Sequence, residues 1–463
     1  MYALSFFQDN NKTLMQDYDR HKELENESIA RLLWRYSLPA IVGTLVNSLY
    51  NVVDRIYIGQ GAGPMAIAGL ALTFPIMNIL GACGMLIGQG AATQVSLFLG
   101  RHDNRTANNI LGNAVVMDLM MFAVVSTVMY IFLDEILILL GGTEEIIPYA
   151  REYMQVILPF HVITSMSFST NNIMRASGYP REAMWTLVIG AALNVILDPI
   201  FIFALNMGIR GAAIATVISM SVSCAWVMLH FADSRHTVHL SLKDMRLRWD
   251  TMMKILAIGL SPFFLQVGIS LVNVVMNHTL RIYGGPIAIG AFGIVSTFAT
   301  LIITTIVGLN QGMQPIIGYN YGFRRFDRVR RTLRYGIIVA TAITTLGWLC
   351  SELFPRQMAL CFNNDPELTA LTAHAIRIFM SVHMFVGAQI VITNYFQSIG
   401  KAGISIFLSL TRQILFLVPC LLVLPPIFGL DGAWMAQPAA NILAFIVSAL
   451  MLRRELRRET AKA

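Results

Sequence analysis

Charge is what this sequence has least of. Of its 463 residues only 13% are Asp, Glu, Lys or Arg while 56% are hydrophobic, and the mean hydropathy is +0.63. That is far too little charge to cover a soluble surface of this size, so a soluble globular protein is excluded. The phosphate-cradling pattern GxxxxGK[ST] is missing, as are HExxH, GxSxG and CxxC. ATP-driven pumping by this chain and the commoner membrane hydrolase chemistries therefore have no basis in the sequence. The five cysteines, Cys83, Cys224, Cys350, Cys361 and Cys420, show neither pairing nor metal-ligand spacing, which argues against a disulfide framework or a zinc site. Residues 1–30 lack the basic, apolar and small-residue order of a cleaved signal.

What is present is a succession of apolar runs, each near the roughly 20 residues that carry a helix across about 30 Å of hydrocarbon. Twelve spans are expected, at 32–58, 65–99, 107–133, 148–176, 181–205, 208–232, 251–281, 286–320, 329–353, 367–397, 402–426 and 430–452. The short alternating strands of a membrane barrel are not seen. The expected fold class is an all-α polytopic membrane protein.

The chain is also written twice. Gly63-Pro64 recurs as Gly285-Pro286, Gln89-Gly90 as Gln311-Gly312, Gly100 as Gly322, His161 as His383 and Gly178 as Gly400, always 222 residues apart. Each half holds six spans, an even number, so the second half enters the bilayer from the same side as the first. Such parallel repeats, related by an axis along the membrane normal, are a transporter arrangement. The expected organisation is an N-terminal segment over 1–30, a first lobe over 31–232, a linker over 233–250, a second lobe over 251–452 and a tail over 453–463.

A net charge of +7 does not point to nucleic acid, because the basic residues gather in alternate connections. Arg101, Arg105, Arg181, Lys243, Arg246, the run from Arg324 to Arg331, Lys401 and the C-terminal Arg453, Arg454, Arg457 and Arg458 share one side. Acidic residues such as Asp134, Glu144, Glu352 and Asp365 occupy the other. The positive-inside rule then places both termini in the cytoplasm; the chain is expected in the cytoplasmic (inner) membrane, in contact with the lipid bilayer. Nothing marks a dimer face, so a monomer is expected.

Three acids interrupt apolar spans: Asp54, Asp118 and Asp198. A carboxylate at the bilayer centre costs roughly 2.5 to 3.5 kcal/mol on insertion scales, so each should face a cavity or a partner. Counted from Arg35 and Arg181, Asp54 and Asp198 both lie about 25 to 29 Å from the inner surface. Asn194 sits four residues before Asp198, on the same helix face. Thr216, entering from outside, reaches the same layer. Asp54, Asn194, Asp198 and Thr216 together make a hard-oxygen site for Na⁺ or a proton-accepting pair; alternatively Asp54 merely bonds across the bundle. Asp118 has no such partners at an obvious depth and stays open between structure and function. His161 and His383 are repeat-matched, fit for a proton route or for helix packing.

Leu38-Pro39, Asn51-Val52-Val53-Asp54, Gln89-Gly90, Arg175-Ala176-Ser177-Gly178, the run from Leu193 to Pro199 and the run from Gly211 to Thr216 jointly resemble the multidrug and toxic compound extrusion (MATE) family, in its DinF/MepA-like branch. The resemblance covers about Ile29 to Leu452. It implies twelve transmembrane helices in two pseudo-symmetric six-helix lobes around a central cleft, no cofactor, and export of small amphipathic, often cationic, drugs or toxic compounds in exchange for H⁺ or Na⁺. By residue-wise match it implies a cation-coupling set of Asp54, Asn171, Asn194, Asp198 and Thr216. Asn171 lies only four residues before the inner-side Arg175, so either the fourth helix extends outward or the match shifts to Asn172. NorM-like members carry acids in the seventh and tenth helices, which the apolar portions of spans 251–281 and 367–397 lack. Gln89, Gln311, His161, His383 and Arg412 are expected near the substrate. Two other functions compete: a flippase for a lipid-linked or other large amphiphile, needing basic residues such as Arg377 and Arg412 at its substrate, and an integral membrane transferase.

Overall fold

The structure, a computed structural model, describes residues 22–362 and 365–460. Most of the expected N-terminal segment, 1–21, and the last three residues of the tail lie outside the described residues. Among the described residues there are helices and turns but no strand. Twelve long helical stretches account for nearly all of them. In the first half these are α1 (Ile29–Ala62), α2 (Pro64–Gly100), α3 (Asn104–Ile131), α4 (Ile147–Ala176), α5 (Pro180–Pro199, continued by a π-helical stretch Ile200–Ala204) and α6 (Gly208–Ala232). In the second half they are α7 (249–284) and α8 (286–322), which run on across Gly285, and α9 (Phe326–Leu353). There follow α10 (Pro366–Met380 and Met384–Ser398), α11 (Ala402–Leu410, Thr411–Leu417 and Val418–Phe428) and α12 (Leu430–Thr460).

Among the described residues eight helices are both long and apolar enough to cross a membrane, or nine if the two segments of α10, bent by 50°, make one span; α7 and α8 count there as one. Of the twelve expected spans, α1 and α4 fall short in apolarity rather than length. They carry Asn47, Asn51, Asp54 and Arg55, and Arg151, Glu152, Ser165, Ser169, Asn171 and Asn172. The ends match expectation to within a few residues, except that α12 continues to Thr460 where the span was expected to stop at 452. Polar Arg453 to Arg458 end the apolar run but are good helix formers, so the helix outlasts the hydrophobic stretch.

The backbone repeats as the sequence does. Left-handed conformations recur at Gly63 and Gly285 (φ 83° and 64°), His102 and Arg324 (58° and 61°), and Gly178 and Gly400 (98° and 77°), each pair again 222 apart. At Gly63 and Gly285 a positive φ turns the chain sharply before a proline, which starts the next helix without needing a donor.

By contact the chain divides into two units. The first runs to Leu260 and takes in Gln311–Arg328; the second comprises Ser261–Asn310 and the chain from Val329 onward. Thus the ends of α7 and α8 that lie at the basic loops belong with α1 to α6. The joint is paired: a β-carbon on Gly100 would lie 2.0 Å from the Tyr319 carbonyl oxygen, and one on Gly322 would lie 2.2 Å from that of Leu97. Only glycine lets the two backbones approach so closely. A helical turn at 22–26 ties in at the same place, with the Tyr319 hydroxyl donating to Glu25 Oε1 at 2.7 Å and Asn320 Nδ2 to the Leu24 carbonyl at 3.2 Å.

The apolar core of the first unit has one cluster around Tyr36, Ile87, Val95 and Ile173 and another around Ile58, Phe122, Met154 and Ile202. Polar Asp118, Ser165 and Ser169 are interposed between them along α3 and α4. The second unit has a single cluster around Met276, Phe379, Leu421 and Trp434. The linker docks on α3: Asn113 Oδ1 accepts the Arg248 amide at 2.8 Å, and Asn108 Oδ1 that of His239 at 3.2 Å. In the linker the Arg235 guanidinium beside Asp233 holds that carboxyl down at about 2.

Candidate ion-coupling site

In the first unit α1, α5 and α6 bring four of the expected residues together. Asp54 on α1 and Asp198 on α5 are buried, with their carboxyl groups facing each other within hydrogen-bonding reach. Asn194, one turn before Asp198, donates from Nδ2 to Asp198 Oδ1 at 3.2 Å and to Thr216 Oγ1 on α6 at 3.4 Å. Local sequence prepares this geometry. Pro199 has no amide hydrogen, so α5 loses a backbone bond directly after Asp198 and continues as a π-helical stretch.

Three oxygens at the site are buried and accept no hydrogen bond: Asp54 Oδ1, Asp198 Oδ2 and Asn194 Oδ1. Unsatisfied acceptors of this kind are costly in a low-dielectric interior. The two carboxyl groups and the Thr216 hydroxyl offer oxygens of the type that suits a hard monovalent cation or a proton, while Asn194 turns its Nδ2 toward Asp198 and Thr216. Among the described residues no group of three His, Cys, Asp or Glu side chains is arranged to hold a metal ion.

Two tyrosines at the site escape the sequence reading. Tyr50 lies one turn before Asp54 on α1, and Tyr153 comes in from α4 close to Thr216 and the two aspartates. The four-residue spacing of Tyr50 from Asp54 was a usable signal. Tyr153 had none, since only helix packing places it there.

Asn171 is not brought to this site. Its side chain donates to the Ala183 carbonyl at 2.8 Å, near the start of α5 and about 22 Å of helix rise from Asp198. Asn172 does not reach it either: it donates to the Phe168 carbonyl and accepts from buried Arg175, both at 2.8 to 2.9 Å. The physical reason is rise: these residues sit on the last turn and a half of α4, at the opposite end from the aspartates.

Asp118 forms a separate buried group, its Oδ1 accepting from Ser165 and Ser169 at 3.1 and 3.2 Å while Oδ2 has no partner. Ser165 and Ser169 are a turn apart on α4, a pairing that could have been sought from their spacing. His161 is buried with Nδ1 unpartnered, against the Phe122 ring at 5.2 Å. Gln89 is half-buried and its carbonyl accepts from Gln314 at 3.5 Å; Gln311 is also half-buried, with Oε1 unpartnered. In the second unit His383 sits at the bend of α10 with neither ring nitrogen partnered, and buried Arg412 donates to Gln389 Oε1 at 3.3 Å. None of these is in the four-residue group around Asp54 and Asp198.

Comparison with known proteins agrees with this doubled architecture. The MatE family model matches twice, over residues 39–200 and 262–422, once in each half. Curated relatives include the multidrug export protein MepA of Staphylococcus haemolyticus, 25% identical over 91% of this chain and 93% of that protein. MepA of Staphylococcus aureus strain MSSA476 is 25% identical over 95% and 97%. Among solved structures, a MATE transporter in the bent conformation superposes with a TM-score of 0.90 at 25% identity, covering 96% of this chain and 98% of that one. A MOP superfamily transporter from Pyrococcus furiosus, described as having a binding pocket of reversed polarity, superposes with a TM-score of 0.89 at 25% identity over 95% and 98%. Matched in both halves and along nearly its whole length, the chain belongs to the MatE family and is a transporter, not an enzyme.

Proposed function

We propose that this chain is a secondary active multidrug efflux antiporter, exporting amphipathic, often cationic, compounds in exchange for H⁺ or Na⁺, with Asp54 and Asp198 as its coupling pair. The observation that carries the proposal is the pair of facing carboxyls, each with an orphaned buried oxygen. Two carboxylates in contact cannot both stay ionised in low dielectric, so one proton or one monovalent cation relieves them. Binding then changes how α1 packs on α5, and a state-dependent ion affinity becomes a state-dependent drug affinity by linkage. Asn194 orients Asp198 and links it to Thr216, whose hydroxyl adds a further oxygen beside the pair. The same reading places the chain as a monomer in the cytoplasmic membrane with both termini inside, the two repeats of six helices acting as lobes.

The test is efflux of a fluorescent cation from reconstituted vesicles, under an imposed Na⁺ gradient and, separately, an imposed pH gradient. Wild type should respond to at least one, which names the ion. Asp54→Asn and Asp198→Asn should each abolish the response; if both variants keep it, the coupling pair is wrong.

A further inference from the structure

The second unit holds a crevice of about 890 Å³ between α9, the second segment of α10, and α12. Its walls are apolar: Ile337, Phe385, Ala388, Phe445, Ala449 and Leu456, with the Phe385 and Phe445 rings 5.0 Å apart. At the basic-loop end stand Arg453 and Arg457, and they also line an adjoining crevice of about 500 Å³ together with Arg454 and Arg458. Glu455, on the same turn, is buried and engaged by Lys401. Among the described residues none of the four arginines has a carboxylate partner.

We propose that this crevice is a binding site for an anionic phospholipid of the surrounding bilayer, its phosphodiester held by Arg453 and Arg457 and an acyl chain lying along α12. Length supports it: from Phe445 to Arg453 the helix rises about 12 Å, most of the roughly 15 Å that one leaflet contributes to a hydrocarbon core of about 30 Å. Charge supports it as well. Guanidinium groups bind phosphate oxygens in bidentate fashion, and a basic pocket between transmembrane helices on the cytoplasmic side is a lipid headgroup site. A cationic drug is disfavoured by the same two arginines, and a free phosphate leaves the apolar walls unused. The location gives the lipid a purpose. Met384 and Phe385 begin the segment after the 50° bend of α10, and the Thr344 hydroxyl on α9 donates to the Met384 carbonyl at 3.1 Å. A chain seated there packs against the turn at which α10 bends.

The proposal rests on the membrane-spanning part of the function above and not on ion coupling, and its readout needs no transport. Full-length protein is equilibrated with equal phosphatidylglycerol and phosphatidylcholine, and the lipid that stays bound is counted by native mass spectrometry. Wild type should retain phosphatidylglycerol preferentially by about 30-fold, from two arginines near the surface. Arg453→Gln with Arg457→Gln should erase that preference, whereas Arg325→Gln with Arg331→Gln, an equal loss of charge at the start of α9, should keep it. Ala449→Trp, which fills the crevice and spares the arginines, should lose the bound lipid. Equal retention of the two lipids by wild type, an equal loss in the α9 control, full retention in Ala449→Trp, or displacement by inorganic phosphate alone would each overturn the proposal.

Discussion

The two halves of this chain share a backbone and differ in chemistry. Gly63 and Gly285, His102 and Arg324, and Gly178 and Gly400 adopt the same left-handed conformations in register. Yet the first half buries Asp54, Asp118 and Asp198, while among the described residues of the second unit the buried acid is Glu455, already engaged by Lys401. At the repeat spacing, to within one residue, Asp54 meets Asn277, Asp198 meets Cys420, and Thr216 meets Pro438. Arg412, in turn, falls where the first half has Gly190. Both halves put a π-helical stretch in their fifth helix, beside Asp198 in one and around Arg412 in the other. Glycine, proline and small residues set the helix paths, so the scaffold can be duplicated while a handful of side chains assigns an ion site to one copy.

The sharpest way to break this comparison is to move the acids. In a protein already carrying Asp54→Asn and Asp198→Asn, adding Asn277→Asp and Cys420→Asp should leave gradient-driven efflux at the leak rate, because Phe416 and Pro438 stand where Asn194 and Thr216 would be needed. Recovered efflux would show that the halves are chemically interchangeable. The next largest effect concerns what they share. Gly100→Ala and Gly322→Ala each press a methyl group onto a carbonyl of the partner helix, and each should lower stability in detergent by about 1–3 kcal/mol. Markedly unequal losses would mean the joint is not a paired one.

Arg412→Met removes a buried guanidinium whose described contact is one 3.3 Å bond to Gln389. Stability should hold or rise by about 1–2 kcal/mol, with the ion dependence of efflux unchanged. A lost ion response would extend coupling to the second half. The smallest effect sits at a helix start. Asp103 caps α3, accepting from the Thr106 amide and hydroxyl at 3.0 and 2.6 Å, and its repeat partner is Arg325. Asp103→Ala should cost about 0.5–1 kcal/mol and Arg325→Ala almost nothing by thermal melting. The Thr106 bonds hold the Asp103 carboxyl below the usual carboxylate range, so its contribution is complete above the unfolded pKa and is lost as pH falls through the lower folded one. The Asp103→Ala deficit should therefore shrink in acid; a deficit constant with pH would assign it to packing instead.

Much of the architecture was legible because it is local. Helix ends follow from apolar run length and from proline and glycine, and they fall within a few residues of expectation, except at α12, where helix propensity outlasts hydrophobicity. The spacing of Asn194 from Asp198, and the common depth of Asp54 and Asp198, also follow from rise per residue alone. Asn171 shows the limit of family matching: the residue is present, yet α4 carries it to the end of the bundle away from the aspartates, bonded to Ala183.

By itself the sequence determined that this chain lives in a bilayer, that its helical plan is doubled, and that intramembrane acids belong to one half. These are matters of composition, periodicity and spacing, which act along the chain. Only the tertiary structure decided that Asp54 and Asp198 face one another, that Tyr153 joins them while Asn171 does not, that Ser165 and Ser169 hold Asp118, and that a crevice opens under Arg453 and Arg457. Each depends on how far one helix turns and slides against another. That is set by the close packing of residues distant in sequence, and no pattern within a single span records it.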